Sequence, residues 1–166
     1  MKRMLVAYDG SAAAQRALAH AAELARPGDS VTVMNVMPEP GVGARIEPPI
    51  GERSRQWHLL DEAQRFMAER EIEVHTLAPV GDAATEILAA AEQLEADVIV
   101  VARSRGRGPD AHGSISGHIV RAARCDELVV HSADAEPGPH VRNGRREVAL
   151  LRAGPASPSL PWPMRS

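Results

Sequence analysis

The stretch RSRGRGPDAHGSIS, running from Arg103 to Ser116, gathers three arginines, three glycines and three serines. Each type has a use against a phosphate. Gly106, Gly108 and Gly113 let the backbone come close to a ligand and adopt positive φ. Ser114 and Ser116 supply hydroxyls. The helical pattern beginning near Ser116 would aim unpaired N–H groups and a positive dipole end at an anion. Arg103, Arg105 and Arg107 add charge. A second short stretch, AYDGS, places Asp9 after the first apolar run of the chain. Its carboxylate suits either a ribose or adenine donor or the capping of the following helix. A glycine-rich strand-to-helix turn also occurs with no ligand at all, so both readings of each stretch stand.

Other reactive residue types do not assemble into a second site. The seven histidines form no i, i+4 pair and no H-E-x-x-H motif, and the one cysteine gives them no thiolate partner set, so no metal site is expected. His112 and His118 flank the glycine-rich stretch and read as solvated loop and helix residues. No G-x-S-x-G elbow surrounds Ser11, Ser114 or Ser116, which read as caps rather than nucleophiles. Cys125 precedes the last strand and reads as a buried, inert thiol rather than a redox centre.

The elements that must position these residues follow from hydrophobic period. RMLVAY, DVIVVA and SVTVMNVM are apolar runs of buried strands. IEVHTLAP alternates, as an exposed or edge strand does, and ELVVHS is the last strand. Between them lie amphipathic helical patterns. The first starts at Ser11, with Ala14, Ala17, Leu18, Ala21 and Leu24 as its inner stripe. The second covers 53–70, with Leu59, Leu60, Ala63, Phe66 and Met67 inward. The third starts at Asp82, with Ile87, Leu88, Ala91 and Leu94 inward, and the fourth covers 116–124. A Pro/Gly stretch of about fifteen residues precedes the second helix. Strands alternating with helices imply an α/β domain, with a five-stranded parallel, doubly wound sheet covered on both faces. Ligands of such sheets bind beyond the carboxyl ends of the strands, where the strand order reverses.

Composition agrees with that class. Aromatic residues are 2% of the 166-residue chain, so alanine and the aliphatics must fill the core. The single cysteine excludes an intrachain disulfide, and the N-terminal apolar run is too short for a signal peptide, so a cytoplasmic location is expected. No apolar run is long enough to span a membrane, and a net charge of −3 does not suggest nucleic-acid binding. The character changes after Ser132. Residues 133–166 hold six of the 13 prolines and carry five arginines against three acids. Two units are therefore expected, a domain over 1–132 and an irregular, disordered or loosely docked tail over 133–166.

MLVAYDGSAAAQRALAHAAELA, VGDAATEILAAAEQLEADVIVVARSRGRG and GSISGHIVRAARCDELVV, in this order, resemble the signatures of the universal stress protein family. The resemblance spans about residues 3–132. It implies a five-stranded parallel fold of the adenine-nucleotide α-hydrolase-like type, and a dimer formed through the last strand, Glu127 to His131. One branch of the family binds ATP through a G-x2-G-x9-G-[ST] loop. Residue by residue, the resemblance places Gly106 and Gly113 at the second and third glycines and Ser114 at the Ser/Thr. Ile115 and Ser116 follow as phosphate-side contacts, Asp9 is the acidic residue after the first strand, and Val36 matches an apolar residue that lines the adenine, with Ala7 beside it. Two positions depart from the pattern. Arg103 stands at the first glycine, where it either fills the ligand's space or meets a phosphate as a cation. Six residues separate Gly106 from Gly113 where the family has nine, which removes up to roughly 10 Å of extended reach.

The expected function is a stress-response or signalling module that binds ATP, with Mg, at this modified loop. The competing expectation is a nucleotide-free, dimeric interaction protein with an unidentified protein partner, in which the shortened loop is a relic. An enzyme is not expected. The pyrophosphatase S-G-G-x-D-S and nucleotidyltransferase H-x-G-H motifs are absent, since HGSISGH has the letters without the spacing.

Overall fold

A computed structural model describes residues 1–39, 50–103 and 115–131. The expectations for Gly106, Gly108, Gly113, Ser114 and the tail lie outside these residues. The elements are β1 (Arg3–Ala7), α1 (Ala12–Leu24), β2 (Ser30–Met34), α2 (Ile50–Ala68), β3 (Val74–Leu77), α3 (Ala83–Gln93), β4 (Val98–Arg103), α4 (Ile115–Ala122) and β5 (Asp126–His131). All five strands are parallel, in the order β3-β2-β1-β4-β5. The five-stranded α/β architecture expected from the sequence is therefore the fold.

Side chains alternate across the sheet, and each face has its own core. Met4, Val6 and Tyr8 of β1 and its extension join Val31, Val33, Val98 and Val100 beneath α1 and α2. Leu5 joins Met34, Ile99 and Val101 against Ile87, Ala90 and Ala91 of α3 and Ile119 of α4. The helices divide two and two because right-handed crossovers moving in opposite directions along a sheet must cover opposite faces. The chain goes outward from β1 through β2 to β3, then returns and goes outward the other way through β4 to β5. Alanines at 13, 14, 17 and 21 line the buried face of α1, and their small size lets the helix lie close to the sheet.

Several boundaries move. Leu24, expected on the inner stripe of α1, is its last residue and 42% exposed. Ala25, where the chain leaves the helix, packs on the core instead. On α3 the inner face is Ala84, Ile87, Ala90 and Ala91, with Leu88 and Leu94 only half-buried. α2 begins at Ile50, three residues before its expected start, because Gly51 and Glu52 of the Pro/Gly stretch are helical. Glu52 in that first turn suits the positive end of the helix dipole. Both edges of the sheet, β3 and β5, are strands of the kind that another backbone can pair with. Among the described residues no helix is long and apolar enough to cross a membrane.

Candidate functional site

The order reverses between β1 and β4. From β1 the chain passes to α1 on one face, and from β4 to α4 on the other. The two connections splay apart, so the crevice between adjacent strand tips is where a ligand meets both.

The β1 side is built by a short run of hydrogen bonds. Asp9 Oδ1 accepts the Ser11 backbone N–H at 2.9 Å, closing a side-chain turn. Ser11 Oγ accepts the Ala14 N–H at 3.1 Å, so Ser11 is the N-cap of α1 as its residue type suggests. The capping reading of Asp9 is thus met indirectly: it orders the residue that caps. Its carboxylate is exposed, and Oδ2 has no partner among the described residues. Gly10 between them has φ +78°, and a Cβ there would lie 2.4 Å from Leu59 Cδ2 on α2. The positive φ favours glycine at this position, and any side chain there would have to displace the end of Leu59.

Beneath this turn, Ala7 and Val36 pack on the same core, that of the α3–α4 face, and each is only partly buried. Ala7 ends β1 and Val36 lies just past the adjacent β2, both at the carboxyl edge of the sheet. Ile115 opens α4 and is 45% exposed, whereas Ser116 is 4% exposed and enclosed by the fold. α4 returns from the tip of β4 toward the start of β5, so its amino end lies at the carboxyl end of the sheet. Arg103 is the exposed last residue of β4, directly across from His131 of β5. Burial lowers the His131 pKa, and the Arg103 charge lowers it further. Asp82, the N-cap of α3, holds the Thr85 hydroxyl at 2.7 Å and the Thr85 N–H at 2.9 Å. Those two bonds keep its carboxyl below the usual range, and the His118 charge on α4 acts in the same direction.

A buried amide network that no sequence pattern signals holds the strand tips. Beyond the last β1–β2 pair, Ala7–Met34, Asn35 Nδ2 donates to the Tyr8 carbonyl at 2.6 Å. The Asn35 backbone N–H bonds Leu77 O on β3 at 3.0 Å. Gln56 of α2 then donates from Nε2 to both Asn35 O at 2.7 Å and Pro79 O at 3.1 Å. Two carbonyl acceptors require a donor with two N–H groups, which a neutral amide nitrogen supplies and a carboxylate does not. The only signals in the sequence were an Asn ending an apolar strand and a Gln on a mixed helix, and both patterns are common. Tyr8 itself is buried, which pushes its phenol well above the ordinary range, and the Glu62 charge adds to that rise. Its hydroxyl lies near the Gln15 side chain, with no partner at hydrogen-bond geometry among the described residues.

Comparison with known proteins agrees with this architecture. Residues 1–131 match the model of the universal stress protein family. A universal stress protein of Methanocaldococcus jannaschii is 27% identical over 146 residues, 81% of this chain and 85% of the relative. The structure of the universal stress protein UspA from Lactobacillus plantarum superposes with a TM-score of 0.64 at 25% identity, covering 78% of this chain and 97% of that one. A universal stress protein from Archaeoglobus fulgidus in complex with dAMP shares the fold, with a TM-score of 0.64 at 20% identity and coverage of 78% and 98%. On the family match over 1–131, with strand order and helix placement in accord, the chain belongs to the universal stress protein family.

Proposed function

We propose that the domain is a regulatory adenine-nucleotide-binding module with a stress-response or signalling role. It takes ATP with Mg in the crevice between β1 and β4 and does not turn it over as an enzyme. The observation that carries this reading is Asp9. Its turn is complete with one carboxylate oxygen, and the other has no partner among the described residues, at a strand-order reversal. Ala7 and Val36 form the floor for the base, and Gly106, Gly113, Ser114, Ile115 and Ser116 form the phosphate side. The bound dAMP of the A. fulgidus neighbour supports an adenine nucleotide as the ligand class. Isothermal titration with Mg-ATP tests it, with Gly113→Val as the comparison. Heat of binding is expected for the wild-type chain and none for the variant. No heat at high micromolar ATP, or equal heat from both, sinks the reading.

A second reading is favoured by one specific observation, the shortened spacing between Gly106 and Gly113 together with Arg103 in place of glycine. There the domain is a nucleotide-free, dimeric interaction protein, pairing through β5 and located in the cytoplasm. Light scattering on the full chain and on residues 1–134 tests the pairing. A full-length monomer at micromolar concentration removes it. Melting separates the two readings, since a ligand that binds only the folded state raises its stability by mass action.

A further inference from the structure

We infer that Gln56 and Asn35 are positioning residues for the candidate site, clamping the tip of β2 so that Val36 lies beside Ala7 and the Asp9 turn. The inference rests on the nucleotide-binding reading for its functional half and on the hydrogen bonds alone for its structural half.

Three strand tips converge on this pair. Asn35 reaches β1 through its side chain, by the 2.6 Å bond to the Tyr8 carbonyl, and β3 through its backbone N–H to Leu77 O. Gln56 is 4% exposed and fastens the Asn35 carbonyl and the Pro79 carbonyl together from α2. Just beyond, Met37 N–H bonds Pro79 O at 3.0 Å and Gly81 N–H bonds Met37 O at 2.9 Å, carrying the β2–β3 ladder past the ends of both strands. Val36 sits inside this frame, between Asn35 and Met37, with its side chain on the opposite face from α2. Parallel strands ordinarily fan apart once their ladder ends. Here the Asn35 amide replaces the missing β1–β2 ladder bond and Gln56 braces the extended β2–β3 ladder, so the tip of β2 is fixed against both neighbours by buried side chains. Buried amides whose donors are engaged on neighbouring strands hold those strands together, and a preorganised site loses less ordering entropy on binding.

Gln56→Met keeps the length and apolar packing of the side chain and removes both donors. Met67→Ala, at the other end of α2 and fully buried, serves as a control that weakens the same helix without touching the clamp. Both are to be compared with the wild-type chain at a temperature where all are folded. In amide hydrogen exchange, Asn35, Met37 and Gly81 are expected to exchange about tenfold faster in Gln56→Met, relative to Val6 and Val100, the change expected from losing one net hydrogen bond. Their ratio is expected to stay put in Met67→Ala. Mg-ATP affinity is expected to fall about tenfold in Gln56→Met, for the same loss, and to hold in the control. Unchanged relative exchange at the three tip amides overturns the clamp. Faster exchange with unchanged affinity overturns its positioning role. If the wild-type chain itself binds no Mg-ATP, the nucleotide reading and the positioning role fall together, while the exchange data still decide the clamp. Should Gln56→Met not fold, Asn35→Ala, which removes only the Tyr8 bond, is read by the same outcomes.

Discussion

The two ends of the sheet are closed by different chemistry. At the amino end the closures are charged and exposed. Arg3 pairs with Glu95 and lies near Asp97, whose carboxylate accepts the Arg3 backbone N–H at 2.7 Å. Asp29 accepts from the Lys2 N–H at 2.6 Å and the Arg26 N–H at 3.0 Å. At the carboxyl end the closures are neutral and buried: Asn35 and Gln56 satisfy carbonyls that water does not reach. Exposed ion pairs are screened and contribute little. Buried amides are costly to break because the groups left behind stay desolvated. The more expensive fastening is at the end where a ligand is proposed to bind, and only a neutral fastening leaves the charge of that crevice to Asp9 and Arg103.

The largest expected effect is at the clamp. Gln56→Leu strands the buried Asn35 carbonyl and removes a second bond to Pro79 O, which keeps its Met37 N–H, and is expected to cost about 3 kcal/mol in urea unfolding, near the upper end for such groups. A loss below about 1 kcal/mol would place water behind Gln56 and break the contrast. Gly10→Ala is next, at about 2 kcal/mol, combining a positive-φ penalty of roughly 1 kcal/mol with displacement of the Leu59 side chain. Pairing it with Leu59→Ala sharpens the test, since relief of the contact should recover part of the loss. Ser11→Ala removes the α1 cap and is expected to cost about 1 kcal/mol.

Smaller effects come from titration. His131 has a folded pKa below its unfolded 6.5, so the unfolded state binds more protons in that interval. Its contribution is complete above 6.5 and is lost as the pH falls from there through the folded value. His131→Gln is expected to flatten that part of the stability profile, and Arg103→Gln to narrow the window. Asp29 has its carboxyl held below the ordinary 3.8, first by the Lys2 N–H. Its contribution is present above 3.8 and disappears as the pH falls through the lower folded value, so Asp29→Asn is expected to lower stability above 3.8 and to match the wild type below the folded value. Arg3→Ala is expected to change least, with a shift that vanishes in high salt. If Gln56→Leu proved as salt-sensitive as Arg3→Ala, the two ends would not differ in kind.

Much of the fold was legible because periodicity carries it. The apolar runs at β1, β2 and β4 and the alanine stripe of α1 leave little choice of element, and the alternation of IEVHTLAP marked β3 as the edge strand it is. Ser11 and Asp82 announced their caps by residue type, and both caps are present. Helix starts were less legible: α2 takes in Gly51, which a sequence reading assigns to a loop. Asp9 could be named because it follows a strand at the end where the order reverses, whereas Ala7 and Val36 were named only through the family resemblance. Asn35 and Gln56 could not be named, since they are 21 residues apart and neither belongs to a pattern. A hydrogen bond between distant amides leaves no period in a sequence. Leu24 shows the converse, a residue in perfect period that is exposed because its helix stops there.

The contrast between the ends is tested most directly by backbone amide NMR of the full chain titrated with Mg-ATP. Saturable shifts are expected at Ala7, Asp9, Ser11, Val36 and Ile115, with Lys2, Arg3, Asp29 and Glu95 unmoved. Shifts centred on the amino-end residues, or none at millimolar ligand, would contradict the assignment of the carboxyl end as the nucleotide site.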